Sequence, residues 1–454
     1  MTKLERAMLF VGNYDNGIQL RTFKVLNIDD AFVGETNGEL ARKCVEVAPR
    51  ATHMLDRMDG ALLYEPLSEH FRDYFAELYG YQPLVFCPRR RLSGPEDSLS
   101  LLRFALDDPD LLSTLSQTGK EHGWHISPFI HHPLVFELGR RIGLPVVGMS
   151  EELVRADRVV HLNDKELFQL ACKPLSIPLP PSWMVYGWEN LMRATERRIQ
   201  SDGHAFLRRS RAAGGKGNCK ITPELISASK LGSVRNYLEH VLHPHNEWTH
   251  ETVLVEPVLD LVSSPSVLAY VDGTDWTIVA MIDQVIDGES YIGGDFPSKE
   301  STRTKLLLET WMKDYLIRYF IPQGGQGWVD IDFGRLADGS FVAFESNARV
   351  TGNNHGIAIR NRLLNGSANA VHAWTNDALK VAPGTSLDDV LRTIGSSYLW
   401  NPQQQEGIVI SIPPAGDAHH FSMGYVALAQ TNERKFELRD IMDAFARQTW
   451  QSVR

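Results

Sequence analysis

The stretch Gly327–Gly352, GWVDIDFGRLADGSFVAFESNARVTG, predicts a β-hairpin. Its two arms, Trp328–Phe333 and Phe341–Asn347, alternate between apolar and polar residues, as half-buried strands do. Asp338-Gly339 lies between them. This dipeptide favours a two-residue type I′ turn, because both central residues of that turn need a positive φ. The sequence therefore predicts an antiparallel pair with a defined register.

That register predicts a cluster of oxygen ligands on one face of the hairpin. Asp332 would face Glu345, and Asp330 would face Asn347. Directly opposed residues share a face with their Cβ atoms about 4.5–5.5 Å apart. Three carboxylates at that spacing repel one another, and Mg²⁺ would remove the conflict because it binds oxygen and shares its ligands with phosphates. Arg349 adds a fixed positive charge suited to phosphate or an oxyanion. A solvated acidic face is the alternative.

The composition is that of an ordinary soluble globular protein. The 454 residues are 43% hydrophobic and 22% charged. This length allows about two to four domains. The net charge of −10 argues against a general nucleic-acid binder, because phosphate contacts need a basic face. The sequence shows neither an apolar signal-peptide region at its start nor a stretch long enough to span a membrane. We therefore expect a cytoplasmic protein.

Cysteine and histidine spacing does not predict a zinc site. The four cysteines are scattered and form no CxxC pair: Cys44, Cys87, Cys172 and Cys219. We expect them to be reduced thiols. The pair His131-His132 and the group His243, His245 and His250 lack further ligands at a recognised spacing.

Residues 1–160 are predicted to form an α/β unit. Ala7–Val11 is a short apolar strand, and a glycine-containing loop at 12–17 follows it. Such a turn can bind a dinucleotide with Asp29 or Asp30 at the ribose, but the loop does not have the GxGxxG pattern. A Rossmann-like domain without a cofactor is the favoured interpretation, and binding of NAD(H) would indicate an oxidoreductase instead.

A glycine-rich loop follows a predicted strand at His204–Arg208. Residues 209–218 read RSRAAGGKGN. Glycine lets backbone N–H groups approach a phosphate closely, and the lysine adds a positive charge. The residues that would hold phosphate are Gly214, Gly215, Lys216 and Gly217. The loop lacks the GK[ST] ending of a P-loop, and a flexible basic hairpin loop is the alternative.

The apolar run Val253–Leu261, VLVEPVLDL, is interrupted by Glu256-Pro257. Proline occurs in sheets only at edges or bulges, so the chain must bend there. The bend would offer backbone groups to a flat ligand such as adenine, with Asp260 near a sugar.

These motifs, in this order, resemble the ATP-grasp fold over about residues 160–360. The resemblance rests on Asn163-Asp164-Lys165, the strand with its GGKGN loop, Glu256, and the run from Asp332 to Arg349. The spacing from Asp332 to Glu345 and the following Glu-x-Asn step match the magnesium-binding pattern of carboxylate–amine ligases. The whole layout is similar to that of bacterial peptide ligases with a pre-ATP-grasp domain, such as the pheganomycin-type peptide ligase.

The resemblance implies α/β and α+β architecture in four parts. Residues 1–160 would form a Rossmann-like pre-ATP-grasp domain. An ATP-grasp core of two subdomains would follow, with the glycine-rich lid at 161–255 and the metal and nucleotide residues at 256–365. A small α+β C-terminal domain at 366–454 would lie on the substrate side.

The resemblance also implies where ATP lies. The base would contact the hinge near Glu256 and Val258, with Asp260 close by. Arg208 and Lys216 would lie near the phosphates. Most members of the fold have lysine where this chain has Arg208, and the two are not interchangeable, so nucleotide affinity or geometry would differ.

Asp332, Glu345 and Asn347 would hold one or two Mg²⁺ ions, with Mn²⁺ as a substitute. A substrate carboxylate would attack the γ-phosphoryl group of ATP to give an acyl phosphate. Arg349 would stabilise that group and the oxyanion formed when an amine attacks, and Arg208 would assist. The lid loop would exclude water. Amide, ADP and phosphate would result.

The leading hypothesis is therefore a ligase that joins an amino acid or small acid to an amino acid or peptide in specialised, natural-product metabolism. A thiol or hydroxyl acceptor and a catalytically silent regulatory module are the alternatives. We expect small-molecule partners and neither nucleic acid nor membrane. The sequence leaves open the two substrates and the oligomeric state, a homodimer included. Tyr291, Gly293-Gly294 and His355 are candidates for the substrate pocket.

Overall fold

The computed structural model describes most of the chain. It gives the backbone alone at Val25–Ile28 and describes residues 45–89, 101–212, 217–242, 247–288, 290–364, 371–418 and 420–451. Several predicted features lie outside these ranges: the strand Ala7–Val11 with its loop, Asp29, Asp30, Gly214, Gly215, Lys216, Cys44, His243 and His245. Of the helices that are described, none is both long and apolar enough to cross a membrane.

The N-terminal part contains a four-stranded parallel sheet. Its order is β3-β2-β1-β4, with strands β1 (Val25–Ile28), β2 (Gly60–Leu62), β3 (Leu84–Phe86) and β4 (His125–Pro128). The helices of this part are a 3₁₀ helix (Ala48–Met54), α1 (Glu69–Tyr79), α2 (Leu101–Leu106), α3 (Pro109–His122), α4 (Pro133–Ile142), α5 (Glu151–Arg155) and α6 (Arg158–Leu162). Parallel strands joined by helical crossovers are the Rossmann-like arrangement that the sequence predicts.

A second, antiparallel sheet lies in the segment that the sequence predicts to be the lid, and we keep that name for it. Its order is β5-β8-β6-β7, with strands β5 (Trp183–Tyr186), β6 (Ala205–Arg209), β7 (Asn218–Ile221) and β8 (Thr252–Glu256). Helix α7 (Lys165–Cys172) precedes it, and the lid helices are α8 (Trp188–Asp202), α9 (Pro223–Ser229), α10 (Val234–Val241) and α11 (Glu247–His250). One face packs on α8 and α10 around Leu191, Leu207 and Val255, which are almost completely buried.

The third sheet is large and antiparallel. Its order is β14-β13-β10-β11-β12-β15-β17-β16, and β9 also pairs with β13. The strands are β9 (Leu261–Ser263), β10 (Pro265–Asp272), β11 (Asp275–Asp287), β12 (Ser290–Phe296), β13 (Gly327–Leu336), β14 (Phe341–Asn347), β15 (His372–Lys380), β16 (Gly407–Gly416) and β17 (Phe421–Ala429). The helices are α12 (Thr302–Tyr315), extended by a π-helical turn (Leu316–Phe320), α13 (Asn354–Leu363), α14 (Leu387–Ile394) and α15 (Asn432–Gln451).

The C-terminal strands extend this sheet, since β12 pairs with β15. The segment is mixed α+β, with α14 and α15 beside its three strands. One apolar core joins residues 48–71 of the N-terminal part to residues 379–446. The first and last parts of the described chain therefore bury a common surface.

The hairpin β13–β14 has the predicted register at its acidic end. Asp332 pairs with Glu345 and Asp330 with Asn347. The predicted two-residue type I′ turn is wrong, however. Gly339 has a φ of 85°, whereas Asp338 is not among the residues with positive φ. Leu336 N donates to Ser340 O at 2.8 Å, so three residues form the loop.

The three-residue loop shifts the strand pairing by one residue from the predicted register, and a β-bulge shifts it back. The pairing shifts between Asp332–Glu345 and Phe333–Ala343, which leaves Phe344 as the extra residue. A bulged residue is left out of the ladder and bends its strand. The bulge at Phe344 therefore lies immediately beside the predicted metal residues.

Candidate active site

A cavity of about 620 Å³ lies between the lid and the large sheet. Its size is in the range of small-molecule sites. The segment Pro257–Asp260 crosses from β8 of the lid to β9 of the large sheet along one wall. The predicted site residues that line it are Arg208, Gly217, Glu256, Val258, Asp260, Asp332 and Glu345. Asn347 and Arg349 are not among its lining residues.

Asp330 and Asp332 are buried carboxylates held together by an amide. Asn347 Nδ2 donates to Asp330 Oδ1 at 2.9 Å and to Asp332 Oδ2 at 3.2 Å. The two aspartates are 2% and 7% exposed, so this is not a solvated acidic face. Burial raises the pKa of Asp330 to about 6. Burial and the charges of Asp330 and Glu345 raise the pKa of Asp332 well above its ordinary value.

Glu345 is ionised at the same site because it has a cationic partner. Lys165 Nζ lies 2.8 Å from Glu345 Oε2 and also donates to Ala212 O. Although burial opposes it, the charges of Lys165 and Arg208 hold the pKa of Glu345 below its ordinary value. Lys165 is 5% exposed and lines the cavity.

The sequence interpretation gave Lys165 no role in the site. The motif that contains it was nevertheless visible, and each of its residues makes a different contact. Asn163 Oδ1 accepts from Ala348 N at 2.9 Å, and Asp164 caps α7 by accepting from Glu166 N at 2.9 Å. Lysine directly after an N-cap occupies the positive end of a helix, which is unfavourable. That unusual position was the available signal.

Arg208, which the sequence interpretation placed near the phosphates, is paired with Glu256. Its Nε and Nη2 donate to the two Glu256 oxygens at 2.8 and 3.0 Å, a bidentate pair. Glu256 also accepts from Gln169 Nε2 at 3.2 Å and from Ser182 Oγ. The Arg208 fork reaches the bulged Phe344 O at 3.4 Å as well. Arg208 therefore connects Glu256 at the end of β8 to Phe344 on β14.

The other described residues that the sequence predicts to contact a nucleotide are Gly217, Val258 and Asp260, and all three line the cavity. Val258 N donates to His204 Nδ1 at 3.3 Å, and Asp260 is exposed at the cavity. Gly217 closes the lid loop, and its carbonyl accepts from Arg209 N at 2.9 Å. A Cβ on Gly217 would lie 2.1 Å from the Cβ of Ala212, so only glycine fits there.

Arg349 does not line the cavity and contacts the Asn347 amide. Its Nη1 donates to Asn347 Oδ1 at 2.9 Å. This contact fixes the orientation in which the Asn347 amide donates to both aspartates. Arg349 is thus connected to Asp330 and Asp332 through a single side chain.

The residues present fit a magnesium ion. Asp332 Oδ1 is buried, and no described residue gives it a hydrogen bond. The raised pKa values of Asp330 and Asp332 show that too little positive charge lies near their carboxylates. A hard cation that binds oxygen ligands would supply that charge. In the described part of the chain, no three His, Cys, Asp or Glu side chains form a ready metal-binding group. The predicted set has two carboxylates and an amide, and it stays a prediction.

The raised pKa of Asp330 predicts a pH-dependent stability. Its pKa is about 6 in the folded protein, against an ordinary 3.8. Such a group binds more protons folded than unfolded, so its contribution to the free energy of unfolding falls as pH rises from about 4 to about 6. Asp330→Asn removes this titration. We expect the variant to lose less stability than the wild type across that interval in urea unfolding, and parallel losses would contradict the assignment.

Comparisons with known proteins bear on the fold of the chain. Residues 48–144 match the sequence family described as the Pre ATP-grasp domain. No curated protein sequence matches the chain.

Three solved structures are similar over nearly the whole fold. N5-carboxyaminoimidazole synthase from Aspergillus clavatus, in complex with ADP, has a TM-score of 0.52 at 10% identity, covering 93% of this chain and 99% of that one. Biotin carboxylase from Campylobacter jejuni has 0.53 at 12%, covering 93% and 95%. N5-carboxyaminoimidazole synthetase from Staphylococcus aureus has 0.51 at 11%, covering 93% and 98%. Identities this low show a common fold alone. The chain therefore has the ATP-grasp fold, with a pre-ATP-grasp domain in its N-terminal part.

Proposed function

We propose that the protein is an ATP-dependent ligase that joins a carboxylate to an amine through an acyl phosphate and releases ADP and phosphate. One observation carries the proposal. A single cavity between lid and sheet is lined by the buried Lys165–Glu345 pair, by Asp332 with its unpaired oxygen, and by the hinge. A buried cation beside buried carboxylates is an arrangement for binding a phosphate and its metal ion.

The hinge supports a nucleotide at the other end of the cavity. Pro257–Asp260 supplies backbone groups, and Phe206 and Phe344 line the same space with aromatic rings. The carboxylate of Glu256 already accepts hydrogen bonds from Arg208, Gln169 and Ser182, so we do not assign it a hydrogen bond to the adenine base. The proposal therefore assigns recognition of the base to the hinge backbone.

Lys165 would be a cation in contact with the phosphates. It is rigidly placed, since Glu345 and Ala212 O both hold its ammonium group. Arg208 is paired with Glu256, so it would act on the phosphates only through its charge at a distance. Its contacts also connect the lid to β14. Lys216 and the glycines Gly214 and Gly215, which lie outside the described residues, would supply lid contacts.

Asp332, Glu345 and Asn347 would hold one or two Mg²⁺ ions, or Mn²⁺ in their place. When bound, the metal would neutralise charge on the phosphates during phosphoryl transfer. Arg349 would stabilise the acyl phosphate and the oxyanion that forms when the amine attacks. It has a fixed charge, and its contact with Asn347 holds it beside the carboxylates. The closed lid would exclude water and protect the acyl phosphate from hydrolysis.

The finer proposal concerns the substrates. An amino acid or small acid would be activated, and an amino acid or peptide would accept it, in the specialised metabolism of the cytoplasm. The C-terminal segment, whose strands extend the same sheet, would line the substrate side.

The test measures ADP and phosphate release with Mg·ATP against each amino acid, and against pools of short peptides, in the presence of hydroxylamine. Hydroxylamine captures acyl phosphates as hydroxamates, so the activated acid is identified before the acceptor is known. We expect ADP and hydroxamate in equal amounts with one class of acid. The same assay with thiols and alcohols as acceptors tests the alternative chemistry. No hydroxamate with any acid would contradict the proposal.

A further inference from the structure

A second polar cluster is built from side chains of separate elements. Arg50 of the 3₁₀ helix donates from Nη1 to Asp377 Oδ2 on β15 at 2.9 Å. His355, in the first turn of α13, places Nε2 3.1 Å from Asp377 Oδ1. His355 and Asp377 are 2% and 8% exposed. The residues come from the N-terminal part, the metal subdomain and the C-terminal segment.

The cluster is connected to the candidate active site through the loop after Arg349. Tyr291 OH on β12 donates to Asn353 Oδ1 at 2.7 Å, and Thr351 N donates to Asn354 Oδ1 at 2.7 Å. Burial and the charge of Asp377, with smaller effects from Asp330 and Asp332, raise the pKa of Tyr291. Tyr291 is therefore neutral, and it lies close enough to Asp377, Asp330 and Asp332 for their charges to affect its pKa. A Cβ on Gly352 would lie 2.6 Å from its ring, so the loop packs closely on it.

Of the side chains in this cluster, His355 carries the imidazole, the group that enzymes use most often as a general base. Arg50 is always charged. Burial opposes ionisation of Asp377, but His355 and Arg50 hold the pKa of its carboxyl group below the ordinary value, so it stays an anion. Tyr291 stays protonated, as its raised pKa requires.

The surroundings of His355 leave one of its ring nitrogens without a partner. The charged and titratable groups near it are Asp377 and, through Asp377, Arg50; His53 on the 3₁₀ helix; and Arg362 on its own helix. Its Nδ1 is buried and has no hydrogen-bond partner among the residues described. Because no described residue occupies it, this nitrogen is free to accept a proton from a substrate. The contact with Asp377 is also not aligned as a full hydrogen bond, as is common in a site without substrate.

We propose that Arg50, Tyr291, His355 and Asp377 form the amine site of the ligase, and that His355 takes a proton from the ammonium group of the amine substrate. The inference rests on the proposed function and names the acceptor as a primary amine. Asp377 would be the counter-ion of the imidazolium, and Arg50 would hold Asp377 in place. A base oriented by a carboxylate is a recurring catalytic arrangement.

The step balances. One proton moves from the ammonium nitrogen to His355, which frees the nitrogen lone pair. The nitrogen attacks the carbonyl carbon of the acyl phosphate, and the C–N bond forms. The bond from that carbon to the phosphate oxygen breaks, and its electron pair leaves with the phosphate. The remaining surplus proton on nitrogen goes to the phosphate, which departs as hydrogen phosphate, and His355 returns its proton to water.

Two nucleophiles separate this role from a structural one. Hydroxylamine is mostly uncharged at neutral pH and needs no base, whereas amino acids and dipeptides enter as ammonium ions. For His355→Gln we expect hydroxamate formation within about twofold of the wild type and amide formation about 10²-fold lower at pH 7. Amide formation should recover as the pH rises and the amine deprotonates unaided. Asp377→Asn should shift the pH profile in the same direction.

His372→Gln is the matched control, because His372 lies on β15 with Asp377 but outside the cluster. We expect both products at wild-type rates. If His355→Gln does not fold, Asp377→Asn decides, since it should shift the pH profile of amide formation and leave hydroxamate formation unchanged.

Each outcome bears on the inference. Equal losses of hydroxamate and amide, or unchanged amide formation in His355→Gln, would overturn it while leaving the proposed function in place. Wild-type hydroxamate without an amide from any amine would also overturn it. The absence of hydroxamate in the wild type would instead remove the proposed function, and this inference with it.

Discussion

Replacing Glu345 by glutamine is expected to lower ATP-dependent turnover by about 10²-fold or more, the effect of losing one preorganised charge at a reacting phosphate. Glutamine keeps the shape of the side chain but removes the charge. It can neither balance Lys165, 2.8 Å away, nor give a carboxylate oxygen to a magnesium ion. The measurement is ADP release under saturating Mg·ATP with the acid identified by hydroxamate formation.

The control for Glu345→Gln is Asp295→Asn. Asp295 is another buried carboxylate of the large sheet, 2% exposed and paired with the buried Lys435. It does not line the cavity. Both variants leave a buried lysine without its partner, so both should lose stability, but Asp295→Asn should keep its turnover per folded molecule. Turnover of Glu345→Gln near the wild-type rate would break the metal-site assignment.

The largest effect on stability is expected for Glu256→Leu. Glu256 and Arg208 are 2% and 5% exposed, and their two hydrogen bonds are 2.8 and 3.0 Å long. Removing the carboxylate leaves the guanidinium buried without a counter-charge. Breaking a buried pair in this way costs about 3–5 kcal/mol of the free energy of unfolding. Urea unfolding followed by circular dichroism measures the loss.

The double variant Arg208→Met/Glu256→Leu distinguishes charge burial from lost packing. It leaves no unpaired charge, so it should recover most of the stability lost in Glu256→Leu. The control is Glu189→Gln, which removes the nearer of two carboxylate partners of Arg235 on the same lid, in an exposed pair with 2.7 Å between Nη2 and Oε1. Surface pairs contribute about 0–1 kcal/mol, so little change is expected. A double variant as unstable as Glu256→Leu would contradict the account.

The hairpin shows how far local sequence rules reach. The alternation of apolar and acidic residues predicted both strands, and Asp332–Glu345 and Asp330–Asn347 pair as expected. The turn itself has three loop residues, and the bulge at Phe344 compensates for the additional one. A strand with one buried face has a strong preference for one register, because a slip by one residue would turn every side chain over. The register was therefore predictable even though the turn was not.

The ion-pair partners of Arg208 and Lys165 could not be predicted from the sequence. Arg208 was assigned to the phosphates because it precedes the glycine-rich loop, yet it is paired with Glu256 on the neighbouring strand. Lys165 lies far from Glu345 along the chain and was given no role, yet the two are in contact. Which positive charge meets which negative one depends on how α7, the lid and β14 pack together, and spacing along the chain does not contain that information.

By itself, the sequence determined the elements whose causes are local. These are the acidic hairpin and its register, the bend after Glu256, and an order of motifs that resembles the ATP-grasp fold. Tertiary structure decided the pairs of charges, the cluster of Arg50, His355 and Asp377, and the C-terminal strands that extend the large sheet. The physical reason is the distance along the chain over which each interaction acts. Hydrophobic alternation, caps and proline act over a few residues, whereas buried ion pairs form between segments that only packing brings together.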